Sequence, residues 1–396
     1  MSTSIKSTAE VVVIGAGVVG SSVAYHLALR GVRDILVIDR ANGPGLGSTG
    51  RATGGARAQF GTEINIKMSM YSLKFFAESE FKCDYDPKGY LFFTNRAEEF
   101  TRLKTNLALQ KSLGLDEVVT VTPDEIAELC PIIETSDIIG GTFCPTDGFI
   151  NPLKVMGGFA SSAEGLGVRF SFGIDAHGIE ASESAVKAVN TSHGIIETRN
   201  VILCGGAWAG PLAATAGIDL PVSPQRRQIA WARAGRALPE NMPMVIDSDT
   251  GFHFRPAKDF IDPTYTADDR HVLMAFPDSE EKSSFEDEVT ESFLEKVKTK
   301  AAERSQILGE AEIVREKCRA GLYENTPDHH AILGASGIEG LFLANGFSGH
   351  GVMHSPATGR ALAEIVVDGE STFMDVSCLS IDRFRSGRLL TESSFI

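Results

Sequence analysis

One stretch limits this chain more than any other: Glu10 to Arg40, EVVVIGAGVVGSSVAYHLALRGVRDILVIDR. Val11 to Ile14 is a short β-branched run of the kind that forms a fully buried strand. Gly15, Gly17 and Gly20 follow in G-x-G-x-x-G spacing, at the point where that strand would turn into a helix over Val18 to Leu29. Gly15 permits a tight turn, Gly17 has no Cβ to hold a pyrophosphate off the backbone, and Gly20 lets the helix pack close on the strand. Gly31 is placed to end the helix in a left-handed conformation. Ile35 to Ile38 reads as the second strand, and Asp39 at its end is positioned to accept from a ribose hydroxyl. The strand, helix and acidic residue turn a weak glycine pattern into a dinucleotide fingerprint. An acid at that position suits an unphosphorylated ribose, hence FAD or NAD rather than NADP.

At 396 residues the chain holds roughly two to three domains' worth of core. A formal net charge of −15 argues against nucleic acid or an anionic membrane surface as partner. The six cysteines are scattered with no C-x-x-C pair, which fits a reducing compartment and gives no zinc or iron–sulfur set. The apolar stretch Val11 to Leu29 is interrupted by fingerprint glycines and His26, so it reads neither as a signal peptide nor as a membrane span. The expected location is cytoplasmic.

Residues 1–9 are polar and expected to fray. The glycine-rich segment from Ala41 to Gly61 runs into an amphipathic helical pattern at Ile64, Met68, Leu73, Phe75 and Phe76, so it is expected beside a bound cofactor, with Ser48, Thr49, Arg51 and Arg57 facing it. Gly89 to Thr94 reads as a strand, and Arg96 to Leu113 as an amphipathic helix. A capping box at Thr122–Glu125 and the pair Asn151-Pro152 each open a helix. Val168 to Ser192 is expected to form a small sheet, and Asn200 to Trp208 a buried strand running into Gly205 and Gly206. A larger sheet starts at Pro221–Ala232 and continues through Val245–Pro256 and His271–Phe276. A helix over about Glu286 to Gln306 would cover it through Phe293, Val297 and Ala301. Near the end, Gly346, Gly349 and Gly351 form another tight turn, feeding a helix expected to open at Ser355-Pro356. Such a helix start carries partial positive charge and would suit the negative N1–C2 edge of a reduced flavin.

With these turns in place the chain resembles the D-amino-acid oxidase superfamily of FAD enzymes, within it the sarcosine oxidase and proline dehydrogenase β-subunit group. The matching residues are Gly15-Ala16-Gly17-Val18-Val19-Gly20 with Asp39-Arg40, Gly47-Ser48-Thr49, Gly205-Gly206-Ala207-Trp208, Tyr323-x-x-Thr326-Pro327-Asp328, and Gly346-Phe347-Ser348-Gly349-His350-Gly351. The resemblance implies a fold of α/β plus α+β type. An interrupted Rossmann-like FAD-binding domain would take residues 1–88, 149–220 and 321–396, and a β-sheet substrate domain 89–148 and 221–320. It implies oxidation of the C–N bond of a small secondary amine or amino acid (sarcosine, proline or N-methyl amine type), with hydride passing to flavin and hydrolysis of the resulting imine. The electron acceptor would be oxygen, a quinone or a protein, and other subunits would be possible partners. A hetero-oligomeric flavin subunit and a non-catalytic FAD-binding assembly factor are the alternative readings. Thr53, Gly54, Ala176, Val352 and Met353 join the cofactor-contacting set.

The departures matter. Where relatives link FAD covalently through a histidine this chain has Arg51 and Ala52, and where others use a cysteine it has Gly321, with Cys318 out of register. Non-covalent FAD is therefore expected. The arginine and lysine that hold a substrate carboxylate in relatives are replaced by Tyr323 and Met353, which leaves Arg57 and Arg255 as carboxylate candidates. Near the flavin the expected group is Arg57, Tyr323, His350, Met353 and Arg255. His350 is read as lying against the flavin rather than acting as a base. His253 and Arg255 share one strand face and Phe252 and Phe254 the other, with either pair able to face the ligand. Adjacent His329 and His330 point apart and lack a third ligand, so no metal is expected. Arg226 and Arg227 are read as sheet-edge or interface charges.

Overall fold

The computed structural model describes residues 7–182, 184–257 and 270–393. Its first sheet has six strands in the order Ile332–Ala335, Leu341–Asn345, Asn200–Leu203, Val11–Ile14, Ile35–Asp39 and Arg169–Phe172. All neighbours are parallel except the Ile332–Ala335 hairpin strand. A parallel sheet is covered on both faces, and this explains the unbroken apolar run Val11–Ile14. Val11 and Val13 pack with Ala24 and Leu27 of the helix Val18–Leu29 and with Ala361 and Leu362 of the helix Gly351–Asp368. Val12 and Ile14 pack on the opposite side with Ile179, Val189 and Ile196, which belong to a three-stranded antiparallel sheet.

The second sheet runs Glu312–Ile313, Ser223–Arg233, His271–Ala275, His253–Pro256, Met244–Asp247, Tyr90–Thr94, Gly140–Cys144 and Val119–Val121. Arg319–Asn325 pairs antiparallel with the first half of Ser223–Arg233. The helix Glu291–Arg304 covers this sheet through Phe293, Val297 and Ala301. The capping box at Thr122 is formed, and Asn151 caps the helix Pro152–Gly165 through its side-chain oxygen.

Four local expectations are corrected. Residues 7–9 are not frayed, because Glu197 pairs with Ser7 and Ala9 through the backbone; residues 1–6 lie outside the described set. Arg169–Phe172 joins the six-stranded sheet beside Ile35–Asp39 instead of the small one. The long helix starts at Glu291, capped by Thr290, since Glu286 and Asp287 upstream pair with Arg226 and Arg51. The late helix begins at Gly351 and carries Pro356 inside it. A proline there removes the N–H that would bond the Val352 carbonyl, and the Ser355 hydroxyl donates to that carbonyl at 2.8 Å.

Candidate active site

A cavity of about 1090 Å³ opens along the carboxyl ends of the parallel strands and reaches the second sheet. That is the usual ligand position in an open α/β sheet, and the volume is at the top of the ordinary range of roughly 300–1,000 Å³. Its near end is main chain. Gly15 has φ +107°, and a Cβ there would strike the Cys204 carbonyl. A Cβ on Gly20 would collide with the Gly15 carbonyl, whereas at Gly17 it would meet nothing closer than Thr49 Oγ1 at 3.4 Å. The first and third glycines therefore let the chain pack on itself, and the second leaves the wall open. Asp39 accepts from the backbone N–H of Ala16 at 2.7 Å and of Ala41 at 2.8 Å, bracing the turn while it lines the cavity. Arg40 lies over the Trp208 ring at 3.8 Å, and Trp208 stacks on Phe285 at 5.8 Å.

The glycine-rich segment crosses from this end to the other. Thr49 Oγ1 accepts from Val18 N at 3.2 Å, and Ser48 Oγ donates to Leu322 O at 2.7 Å. Arg51 pairs with Asp287 and donates to Ala320 O, while Arg319 donates back to the carbonyls of Arg51 and Ala52. The segment is thus tied to the strand Arg319–Asn325.

The far end is side chains. Arg57 is buried, lies over Phe60 at 3.8 Å and donates to the Gln59 carbonyl; burial lowers its pKa from the ordinary arginine value. Its segment is held by Asp147, which accepts from Ala58 N at 2.7 Å and Gln59 Nε2 at 3.1 Å and whose pKa burial raises to about 6. His350, just before the late helix, meets Phe60 edge-on at 4.8 Å. Burial, with Arg57 nearby, lowers its pKa well below the usual histidine range, so it is neutral at pH 7. His354 behind it bonds Ser69 Oγ at 2.9 Å and is pushed down to about 3 by burial. The Tyr323 ring lies against Gly349, where a Cβ would collide with it. Glu324, the next residue, lines the cavity with one buried carboxylate oxygen lacking a partner, and burial raises its pKa to about 7.

Most of the expected residues meet at this one cavity. Gly15, Ala16, Gly17, Val18, Val19, Gly20, Asp39, Arg40, Gly47, Ser48, Thr49, Arg51, Thr53, Gly54, Arg57, Ala176, Gly205, Gly206, Trp208, Tyr323, Phe347, Gly349, His350, Gly351, Val352 and Met353 all line it. Gly346 and Ser348 do not: Gly346 packs against Thr326, and the Ser348 hydroxyl accepts from Thr326 N at 3.3 Å, so they shape the turn from behind. Arg255 is also outside the lining. It is buried over Phe149 at 4.5 Å and donates to the Thr53 and Pro256 carbonyls. Of the two strand faces, Phe252 and Phe254 go to the core and His253 to the cavity. Arg227, read from the sequence as a sheet-edge charge, lines the cavity instead. Cys318 does not line it; its sulfur accepts from Trp231 N at 3.3 Å. His330 bonds Thr62 Oγ1 at 3.0 Å and the Asp328 carbonyl at 2.7 Å.

A glycine turn at a strand end, an acid on the next strand, and a long cavity closed by a second sheet define a protein built round a dinucleotide cofactor. The family model described as DAO, FAD dependent oxidoreductase, matches residues 10–365, and the chain belongs to that family. It is an FAD-dependent enzyme, and the open backbone at Gly17 and the long cavity fit that cofactor. The solved structure of L-proline dehydrogenase from P. horikoshii is similar at TM-score 0.87 and 28% identity, covering 98% of this chain and 100% of that one. The FAD-dependent oxidoreductase domain-containing protein 1 of Xenopus laevis is 29% identical over 98% of this chain and 85% of its own length. The 4-methylaminobutanoate oxidase (formaldehyde-forming) of Paenarthrobacter nicotinovorans is 28% identical over 94% of this chain but only 45% of its own, so this chain spans less than half of that protein. Among the described residues no helix is long and apolar enough to cross a membrane.

Proposed function

We propose that this enzyme oxidises the C–N bond of a small secondary amine or amino acid, of the sarcosine, proline or N-methyl amine type, with FAD held non-covalently. The observation that carries the reading is the single cavity running from the glycine turn to the cluster of Arg57, Tyr323, His253 and His350. The likeness to a proline dehydrogenase and a methylaminobutanoate oxidase supports the substrate class. Bound FAD supplies the hydride acceptor. The chain's own share is alignment and exclusion of water. Tyr323 and Met353 flank the far end of the cavity, and neutral His350 adds no positive charge beside an amine that must react unprotonated. Cys318 faces the second sheet's interior, and Gly321, Arg51 and Ala52 offer no linking nucleophile, which supports non-covalent binding. We assign the nucleotide part to 1–88, 149–220 and 321–396 and the substrate part to 89–148 and 221–320. The six cysteines are unpaired, in keeping with a reducing cytoplasm. Purified protein mixed anaerobically with a panel of secondary amines and amino acids should show bleaching of its flavin absorbance by at least one. A panel that leaves the flavin oxidised throughout overturns the reading.

A further inference from the structure

Arg227 carries a positive charge at the cavity that the chain does not neutralise. It lies on the strand Ser223–Arg233, opposite Gly321 of Arg319–Asn325. Its neighbour Arg226 is engaged by Glu281 at 2.8 Å and Glu286 at 3.4 Å. The acids acting on Arg227 from a distance are Glu281 and Asp278, and both are committed: Glu281 to Arg226 and Gln228, Asp278 to Lys296 at 2.8 Å. Among the described residues Arg227 forms no ion pair. Its hydrogen bonding is confined to Nη1, which donates to the Arg226 carbonyl at 3.3 Å, and its Nε is buried without a partner. A half-buried guanidinium whose Nε is buried without a partner is costly unless something arrives to use it.

The other two arginines of this region differ. Arg57 and Arg255 already donate to backbone carbonyls and lie over Phe60 and Phe149. Arg227 instead has its guanidinium 5.4 Å from the Tyr323 ring centre, and both side chains line the cavity. A guanidinium fork and a phenol on one wall match the two oxygens of a carboxylate.

We propose that Arg227, seconded by Tyr323, anchors the carboxylate of the substrate, so that the enzyme takes amino carboxylates with a secondary nitrogen in preference to uncharged amines. The assignment deepens the amine-oxidation reading above and rests on it for the identity of the reacting nitrogen. It also supplies a clamp at neither of the positions occupied by Tyr323 and Met353, on a residue that reads from the sequence as a sheet-edge or interface charge.

The test titrates FAD-loaded protein with propionate and with propionamide, following the flavin visible spectrum, in the native chain, R227Q, R227K and R226Q. FAD content and melting temperature are recorded for each. Expected are a clear propionate response in the native chain and a much weaker propionamide response. R227Q should weaken propionate about 30-fold with propionamide unchanged, R227K should recover part, and R226Q should match the native chain. Equal propionate affinity in native and R227Q protein of full FAD content overturns the assignment, as does an equal native response to propionate and propionamide. If R227Q loses FAD, the native comparison and R227K decide. The two readings fail separately. Propionate binding that depends on Arg227, with no amine reducing the flavin, keeps the anchor and removes amine oxidation. Flavin reduction by N-methylglycine and its methyl ester at the same half-saturation keeps amine oxidation and removes the anchor.

Discussion

The two ends of the cavity are made of different material. Around Gly15, Gly20 and Asp39 the wall is backbone, kept in place by missing Cβ atoms and by a carboxylate that accepts from two main-chain N–H groups. Around Arg57, Arg227, Tyr323 and His350 the wall is side chains, drawn from a loop, two paired strands and a helix start. A backbone wall tolerates almost no added atom but is indifferent to most side-chain chemistry. A side-chain wall is the reverse: its shape survives substitution, and its selectivity does not.

Substitutions at each end should separate these properties. The largest effect is expected from Gly20→Ala, whose Cβ has no room against the Gly15 carbonyl. Overpacking of this kind costs about 1–3 kcal/mol or more, and here it displaces the turn itself. The purified variant should carry little FAD, read as the ratio of visible to ultraviolet absorbance; normal loading would mean that the turn adjusts and the contrast is overdrawn. Tyr323→Phe should do the opposite, keeping full FAD while kcat/KM falls about tenfold, the order of one lost hydrogen bond to a charged group. The smallest effect is a pH dependence at Glu324. Burial raises its folded pKa to about 7 against an ordinary 4.5, so the folded state binds the extra proton between those values. The stability this contributes is complete below about pH 4.5 and is lost as pH rises through 7. Flavin-free protein should therefore melt lower at pH 8 than at pH 5.5 by an amount that Glu324→Gln removes, on the order of 2 °C. An identical pH profile in the variant would show that another group controls it.

The same contrast governs what could be read from the residues beforehand. The near end lies within about thirty consecutive residues, and its strand, turn, helix and acid came out where local rules put them. Helix caps at Thr122 and Asn151 were equally legible, because both partners of each cap lie within one turn. The far end was only partly so. Whether Arg226 or Arg227 faces the cavity depends on how Ser223–Arg233 pairs with a strand that begins at Arg319, and period-two alternation fixes relative parity without saying which face is inside. Arg255 has the right parity beside His253, yet its guanidinium is taken by the Thr53 and Pro256 carbonyls. Pro356 marked the start of the late helix by the usual preference for the first turn, but Ser355 satisfies the carbonyl that the proline abandons and the helix begins at Gly351.

The helix Gly351–Asp368 has a further consequence, which concerns how the protein is made. It lies against the helix of the glycine motif so closely that a Cβ on Gly359 would strike Ser22, and the Ser22 hydroxyl donates to the Ser355 carbonyl across 333 positions of chain. At ribosomal rates of about 5–20 residues per second, the cofactor motif emerges roughly 15–70 seconds before the element that covers it. The first strand likewise waits for Asn200–Leu203 to occupy its open edge. During that interval the nascent chain presents a bare β-edge and an apolar helix face, the kind of surface that folding helpers hold. The glycine motif's helix is thus covered only once residues more than three hundred positions further along the chain have been made.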